Sequence, residues 1–225
     1  MKNLVVRSYA KINICLNVVG KKDDGYHELD MVMLPLEIHD TILISELKKG
    51  TNNFVTIDDF SNGPIHYNIA TAAIEKFAKY RGFANKFRVS NHKVLPMQAG
   101  LGGGSSNAAA VILGINKMLK LNASNEEMVN IAKGLGADVP FFINNTPARC
   151  TGIGDVMTPV KVQYDYWVLL VKPDAGCGTK AIYEISDQMT LSTGNVDDVI
   201  EALEEGDDEK LASSIFNSLE EPAMK

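Results

Sequence analysis

A glycine-rich turn that leads into an apolar helix constrains this chain more than any other stretch. Residues 95–121 read LPMQAGLGGGSSNAAAVILGINKMLKL, with four glycines between positions 100 and 104. Glycines permit positive φ angles and let a ligand approach the backbone closely. The start of a helix attracts anions through its N–H groups and its dipole. The stretch therefore predicts a phosphate cradle, with Ser105, Ser106 or Asn107 capping the helix. The alternative is a flexible turn before a buried helix.

Two common glycine motifs do not fit this spacing. A Walker loop ends in Gly-Lys-Ser/Thr, whereas Gly104 is followed by two serines and no lysine. The dinucleotide pattern G-x-G-x-x-G fails because Asn107 stands where its third glycine belongs. The predicted cradle therefore belongs to another class of phosphate-binding protein.

Composition narrows the class further. The 225 residues are 45% hydrophobic, which suits one large domain or two small ones, and the net charge of −6 argues against a nucleic-acid binder. We find neither a signal peptide nor an apolar run of eighteen residues, so we expect no membrane partner. Cys15, Cys150 and Cys177 are odd in number and widely spaced, which predicts reduced thiols in a cytoplasmic protein.

Hydrophobic periodicity predicts an α+β chain with two domains that join near residues 150–160. The expected strands cover residues 4–19, 27–36, 41–45, 54–57, 87–94 and 166–171, with two more joined by a turn in 148–158. The expected helices, besides the one after the glycine turn, are residues 68–80, a helix from a capping box at Ser124 to about Gly134, a helical turn at 180–185, and two acidic helices at 196–205 and 207–219.

A phosphate cradle without a Walker lysine needs another cation and a base for the nucleophile. Lys11 lies within an apolar strand, where it is either an outward-facing lysine or a buried, paired one. Asp138 follows the tight turn at residues 134–136 and is either a helix N-cap or a carboxylate base. A base held close to a cation would stay ionised and could accept a hydroxyl proton.

A turn at residues 21–25 is followed by an aromatic residue, an imidazole and a carboxylate. Tyr26 could stack on a planar ligand and His27 could bind its edge. The alternative is an ordinary strand that begins after a turn. No metal-ligand or hydrolase motif is present, so the metal ligands are unknown.

Five motifs, taken together, resemble the GHMP small-molecule kinases. The most specific is the family's second motif, P-x-x-x-G-L-G-(G)-S-S, which residues 96–106 match. The others are residues 10–13 (AKIN), 24–29 (DGYHEL), 136–142 (GADVPFF) and 152–155 (GIGD). They occur in the expected order and span nearly the whole chain. They are similar to the subgroup of the family that acts on a cytidine-diphosphate-linked alcohol.

This resemblance implies transfer of the γ-phosphoryl group of ATP, with Mg²⁺, to a hydroxyl of a cytidine-diphosphate-linked methylerythritol, a step of non-mevalonate isoprenoid synthesis. Lys11 and Asp138 match the catalytic pair, with Asp138 as the base. The positions that match substrate contacts are Asn13, Tyr26, His27, Thr179 and Tyr183. The positions that match ATP contacts are Asn68, Lys93, Pro96, Met97, Gln98, Ala99, Gly100, Leu101, Gly102, Gly103, Gly104, Ser105 and Ser106. A kinase for another small alcohol, or a shortened nucleotide-binding relative without activity, remains an alternative.

The family fold is α+β, with a ribosomal-S5-like N-terminal domain and a smaller ferredoxin-like α/β domain. By resemblance, residues 1–158 form the ATP-binding domain and residues 159–225 the C-terminal domain. Family members usually continue further and carry a third glycine-rich motif, so we expect the second domain to be incomplete. We expect a monomer or a homodimer that binds neither nucleic acid nor membrane.

Overall fold

Two long strands, β1 (Asn3–Lys21) and β2 (His27–Glu46), run through the centre of the sheet in the computed structural model, which describes residues 2–48, 51–57, 68–174, 176 and 178–225. The described residues group into two compact units. The first unit comprises residues 1–10, 36–96 and 102–145, and the second comprises residues 11–35, 97–101 and 146–225. Each long strand gives one segment to each unit.

The first unit is a layer of strands covered by helices. Its elements are β3 (Phe54–Ile57), α1 (Ile69–Arg81), β4 (Phe87–His92), α2 (Gly103–Leu119), α3 (Asn125–Ala132) and α4 (Val139–Asn144). Strand β4 pairs antiparallel with β2 and parallel with β3. Helix α1 packs against α2, and both α2 and α3 pack against α4. Phe77, Phe87, Ile112 and Phe141 are fully buried and form the apolar interior of this unit.

Local sequence signals set the helix boundaries in the first unit. Asn68 caps α1 by accepting a hydrogen bond from the backbone N–H of Ala70 at 2.6 Å, and Gly82 ends the helix with a φ of 71°. Ser124 and Glu127 form the predicted capping box of α3. These boundaries confirm the predictions for both helices.

The second unit holds the remaining elements. These are β5 (Ala148–Gly152), β6 (Val156–Pro159), α5 (Thr179–Ser186), α6 (Val196–Glu205), α7 (Asp208–Ser214), β7 (Phe216–Asn217) and α8 (Glu220–Ala223). Strand β5 pairs antiparallel with β2 and with β6, and β7 pairs parallel with β1. The hydrophobic core of the second unit contains residues from both strands and helices, among them Cys15, Val32, Val199 and Leu203.

Two predictions for the second unit are wrong. The expected buried strand at residues 166–171 has no regular secondary structure, and Trp167 is fully exposed. None of the strand ladders that the described residues form includes this segment, so its apolar side chains have no sheet to cover them. The expected helix at 207–219 ends at Ser214, because the chain turns there into β7.

The predicted domain boundary after residue 158 stays a prediction. The two compact units are defined by contacts between residues, whereas the predicted boundary separates two domains of the family fold. Cys15 and Cys150 are buried reduced thiols, as expected, whereas Cys177 lies outside the described residues. Across the described ranges, no helix has the length and apolar character needed to cross a bilayer.

Candidate functional site

The start of α2 is built by backbone conformation. Gly102 occupies the N-cap position with a φ of 69°, and Gly100 has a φ of 70°. The prediction that Ser105, Ser106 or Asn107 caps this helix is wrong, because the helix already begins at Gly103 and all three residues lie inside it. Gly102 has no side chain that could bond to the first N–H groups. These groups can therefore face a bound anion.

Ser8 ties strand β1 to the first turns of α2. Its hydroxyl oxygen lies 2.8 Å from Ser106 Oγ, and it donates a hydrogen bond to Asn107 Oδ1 at 2.6 Å. Ser8 and Ser106 are both buried. This network fixes the side chains of the predicted phosphate segment while Gly103 and Gly104 remain partly or fully exposed.

Lys93 is held beside the same helix start. Its ammonium donates to Asp40 Oδ2 at 2.8 Å, and a β-carbon on Gly103 would lie 3.5 Å from Lys93 Nζ. Asp40 is completely buried. The structure thus brings a cation, predicted as an ATP contact, to the first residue of α2.

Asp138 lies at the N-cap position of the short helix α4, yet its side chain makes no capping hydrogen bond. The N-cap position predicted for Asp138 is therefore confirmed, but capping does not account for its side chain. The turn before it is close to other predicted residues: a β-carbon on Gly136 would lie 3.6 Å from Ser105 Oγ and 3.4 Å from the side chain of Ile69, which follows Asn68. The first unit therefore gathers the starts of α1, α2 and α4.

Lys11 belongs to the second unit and is only 6% exposed. The interpretation as an outward-facing lysine is therefore excluded. Its ammonium donates to Asn13 Oδ1 at 3.1 Å, and its backbone N–H donates to the carbonyl of Leu101 at 3.1 Å. These bonds place Lys11 and Asn13, two predicted site residues, side by side next to the end of the glycine turn.

His27 lies among three side chains of the second unit. Its ring stacks on Tyr183 with centroids 4.5 Å apart, and its Nε2 lies 2.7 Å from Asp187 Oδ1. Lys21 donates to the other oxygen of Asp187 at 2.5 Å. Hydrogen bonds from Lys21 and then from His27 lower the pKa of Asp187, so this carboxylate stays ionised. The structure thus joins His27 and Tyr183, which were both predicted as substrate contacts.

Several of the other predicted contacts are exposed, whereas Leu101 is buried. Tyr26 is 58% exposed next to His27, and Thr179 is the exposed first residue of α5. In the glycine turn, Pro96, Met97 and Gln98 are exposed. Their ligand contacts stay predictions, as do those of Ala99, Gly100 and Leu101.

Sequence reasoning missed three residues that hold the predicted ones in place: Ser8, Asp40 and Asp187. Ser8 lies in the predicted strand two residues before the Ala10–Lys11 motif, which is a local signal that could have been used. Asp40 and Asp187 are 53 and 160 residues away from their partners Lys93 and His27. No local pattern encodes such pairs.

Within the described parts of the chain, no group of three or more His, Cys, Asp or Glu side chains is arranged to hold a metal ion. The start of α2 presents two oxygen donors that a hard cation could use, the hydroxyl of Ser106 and the amide oxygen of Asn107, both in contact with Ser8.

Comparison with known proteins adds a family relationship to this geometry. Residues 68–146, which include α1, the glycine turn and Asp138, match the family model for the GHMP kinases N terminal domain. The chain is 37% identical to a 4-diphosphocytidyl-2-C-methyl-D-erythritol kinase of Alkaliphilus metalliredigens over 98% of this chain and 76% of that protein. It is 36% identical to a kinase of the same name from Clostridium beijerinckii, over 98% of this chain and 78% of that protein.

A solved structure extends the comparison to three dimensions. The crystal structure of a 4-(cytidine 5'-diphospho)-2C-methyl-D-erythritol kinase superposes with a TM-score of 0.73 at 26% sequence identity. The match covers 98% of this chain and 77% of the solved one. The similarity therefore extends over the residues of both compact units.

Proposed function

Because the chain belongs to the 4-diphosphocytidyl-2-C-methyl-D-erythritol kinases within the GHMP kinase family, we propose that it transfers the γ-phosphoryl group of ATP to a hydroxyl of 4-diphosphocytidyl-2-C-methyl-D-erythritol, in the non-mevalonate route to isoprenoids. The predicted α+β GHMP kinase fold is confirmed. The observation that carries the proposal is the start of α2, where Gly102 leaves the first N–H groups without a side-chain cap and Lys93 adds a positive charge.

In the proposed reaction the acceptor hydroxyl oxygen attacks the γ-phosphorus of ATP. The bond between the γ-phosphorus and the β,γ-bridging oxygen breaks, and ADP leaves. Asp138 takes the hydroxyl proton, and the Lys11 ammonium offsets the negative charge that develops on the transferred group. Mg²⁺ would bind the ATP phosphates beside Ser106 and Asn107, where it supplies charge neutralisation.

Two observations in the structure support this pair. Lys11 is buried and oriented by Asn13, which suits an ammonium that acts in a water-poor site. Asp138 is positioned by a helix start without being used as its cap. Lys11 belongs to the second unit and Asp138 to the first, and their joint assignment as the catalytic pair comes from the family motifs.

The substrate side of the proposal is supported by the second unit. The rings of His27 and Tyr183 stack on each other, and Tyr26, which precedes His27 in the chain, is exposed, so this region provides aromatic side chains that suit a nucleobase. An alcohol without a nucleobase has no ring that could stack on these aromatic side chains. The buried reduced thiols of Cys15 and Cys150 support a cytoplasmic location.

The test is ADP release with 4-diphosphocytidyl-2-C-methyl-D-erythritol, set against mevalonate, homoserine and galactose. We expect turnover of the cytidine compound alone, and a loss of about 10²-fold to 10⁴-fold in kcat for Asp138→Asn. Asp165→Asn is the matched control, because Asp165 is an exposed carboxylate in an irregular segment. Preference for another alcohol would overturn the substrate assignment, and full activity of Asp138→Asn would remove Asp138 as the base.

A further inference from the structure

We propose that Asp187 is a positioning residue that fixes the tautomer of His27, and that this tautomer makes the site select a 4-amino pyrimidine over a 4-oxo pyrimidine. The inference rests on the proposed function only in its choice of ligand. Asp187 follows the last residue of α5, the helix that also carries Tyr183. One helix thus provides both the ring that stacks on His27 and the carboxylate that faces its Nε2.

The donor in the His27–Asp187 contact follows from the charge state of the carboxylate. The hydrogen bond from Lys21 lowers the pKa of Asp187 and keeps it ionised, and an ionised carboxylate can only accept hydrogen bonds. At a separation of 2.7 Å, Nε2 of His27 must therefore carry the proton. In the neutral imidazole, Nδ1 is then an acceptor.

The orientation of the ring is fixed from two sides. Stacking on the Tyr183 ring, at an interplanar angle of 20°, sets the plane of the His27 ring. The contact with Asp187 sets the rotation of the His27 ring within that plane. The His27 side chain is only 10% exposed, so little freedom remains. Asp187 is itself held by Lys21 at its other oxygen, which leaves Oδ1 for the imidazole.

An Nδ1 acceptor distinguishes the two pyrimidines that differ at position 4. Cytosine presents an amino donor there, whereas a 4-oxo pyrimidine presents a carbonyl acceptor. The neutral His27 tautomer set by Asp187 can accept a hydrogen bond from the amino group, and it places two lone pairs against each other when the carbonyl is bound. This repulsion lowers the affinity of the site for the uridine compound.

The tautomer can be measured without substrate. Long-range proton–nitrogen NMR spectra of the neutral ring should show the proton of His27 on Nε2. His39 is an internal reference for the opposite tautomer, because its Nδ1 lies 2.7 Å from the carbonyl oxygen of Glu37 and must donate to it. A proton on Nδ1 of His27 would overturn the proposal and leave the proposed kinase activity untouched.

Two variants distinguish the direct contact of Asp187 with His27 from the effect of the Lys21 charge. Asp187→Ala should give a mixture of His27 tautomers. Lys21→Met removes the cation but keeps the contact between Asp187 and Nε2, so the Nε2 tautomer should persist. Equal tautomer shifts in both variants would mean that the charge network, and not the direct contact, controls His27, which would also overturn the proposal.

Specificity is tested with the cytidine substrate and its uridine analogue. In Asp187→Ala, we expect the ratio of kcat/KM values to fall about tenfold, the value of one hydrogen bond, with KM for the cytidine substrate raised and kcat and KM for ATP unchanged. An unchanged ratio would refute the role of Asp187 while the kinase assignment stands. Failure of the wild-type protein to phosphorylate either compound would refute the proposed function, and the specificity claim with it.

Discussion

Asp40, which is completely buried, forms an ion pair with the partly exposed Lys93 at 2.8 Å beside the start of α2. The second oxygen of Asp40 accepts hydrogen bonds from the backbone N–H groups of Val94 and Leu95, at 2.8 and 2.7 Å. One carboxylate therefore holds the end of β4, the first residues of the glycine-rich stretch and the side chain of Lys93. Because Lys93 Nζ lies next to Gly103, this pair links the stability of the first unit to the charge at the predicted phosphate cradle.

We expect Asp40→Ala to lower the free energy of unfolding by about 3–5 kcal/mol, since it leaves an ammonium and two backbone donors without their buried acceptor. Urea denaturation measures this loss. The matched control is Glu127→Gln, which removes the charge from the partly exposed Arg81–Glu127 pair but keeps an acceptor for the capping box, and it should cost much less stability. Equal losses in the two variants would show that Asp40 is no more important than a surface partner.

Lys93→Met tests the electrostatic role of the same pair. We expect KM for ATP to rise about tenfold, because one charge-assisted contact to the phosphates is lost. Steady-state kinetics at several ATP concentrations measures the change, and Asp40→Asn should give a smaller rise, since its amide oxygen can still bond to the backbone. An unchanged KM in Lys93→Met would remove Lys93 from the predicted ATP contacts.

The residues that can be predicted from sequence are those whose roles are encoded locally. The start of α3 was predicted correctly because the capping box of Ser124 and Glu127 is encoded within four consecutive residues. The helix start at Gly103 was misplaced because serine is a common cap, whereas a glycine in the left-handed conformation leaves no such signal. A local sequence pattern predicts where a helix lies, but it does not decide which of two suitable residues caps it.

The parts that sequence could not reveal depend on distant partners. Asp40 and Asp187 are separated from Lys93 and His27 by 53 and 160 residues, so only the fold brings them together. The strand predicted at residues 166–171 was wrong for the same reason. An apolar run forms a strand only when another strand pairs with it, and the sequence of the run does not reveal that partner. Lys11 was left undecided by its strand pattern, and its burial resolved the choice.

Ser8→Ala should weaken ATP binding without unfolding the protein. Ser8 orients Ser106 and Asn107 at the first turns of α2, and a lost buried hydrogen bond costs about 1 kcal/mol. We therefore expect KM for ATP to rise about fivefold. Thr56→Val removes a similar hydroxyl contact, to Ser90 between β3 and β4, and should leave KM unchanged. A similar rise in both variants would indicate a general loss of order in the sheet.

Lys11→Met should separate activity from stability. The ammonium is buried and donates to Asn13 Oδ1, and methionine has a similar volume without the charge, so we expect the variant to remain folded. If Lys11 stabilises the transferred phosphoryl group, kcat should fall by about 10²-fold or more. Lys161→Met, at an exposed position, is the control and should retain both properties. A large loss of stability with normal kcat would make Lys11 a structural residue.

Cys15 should make the stability of the second unit depend on alkaline pH. Burial raises the pKa of the Cys15 thiol from 9.0 to about 11, mainly because the thiolate would lose its hydration in the core of strand and helix residues. Since the folded pKa lies above the unfolded one, the stabilising contribution is complete below pH 9 and is lost as the pH rises toward 11. Over that range the unfolded chain releases a proton that the folded chain retains. The expected loss is on the order of 2 kcal/mol.

The measurement is urea denaturation at several pH values between 8 and about 11 for the wild type and Cys15→Ala. Other groups titrate in this range in both proteins, so the difference between the two slopes isolates the thiol. Cys15→Ala should start less stable, because it leaves a small cavity, and should lose less stability as the pH rises. Parallel slopes would mean that the Cys15 thiol ionises as easily in the folded protein as in the unfolded chain.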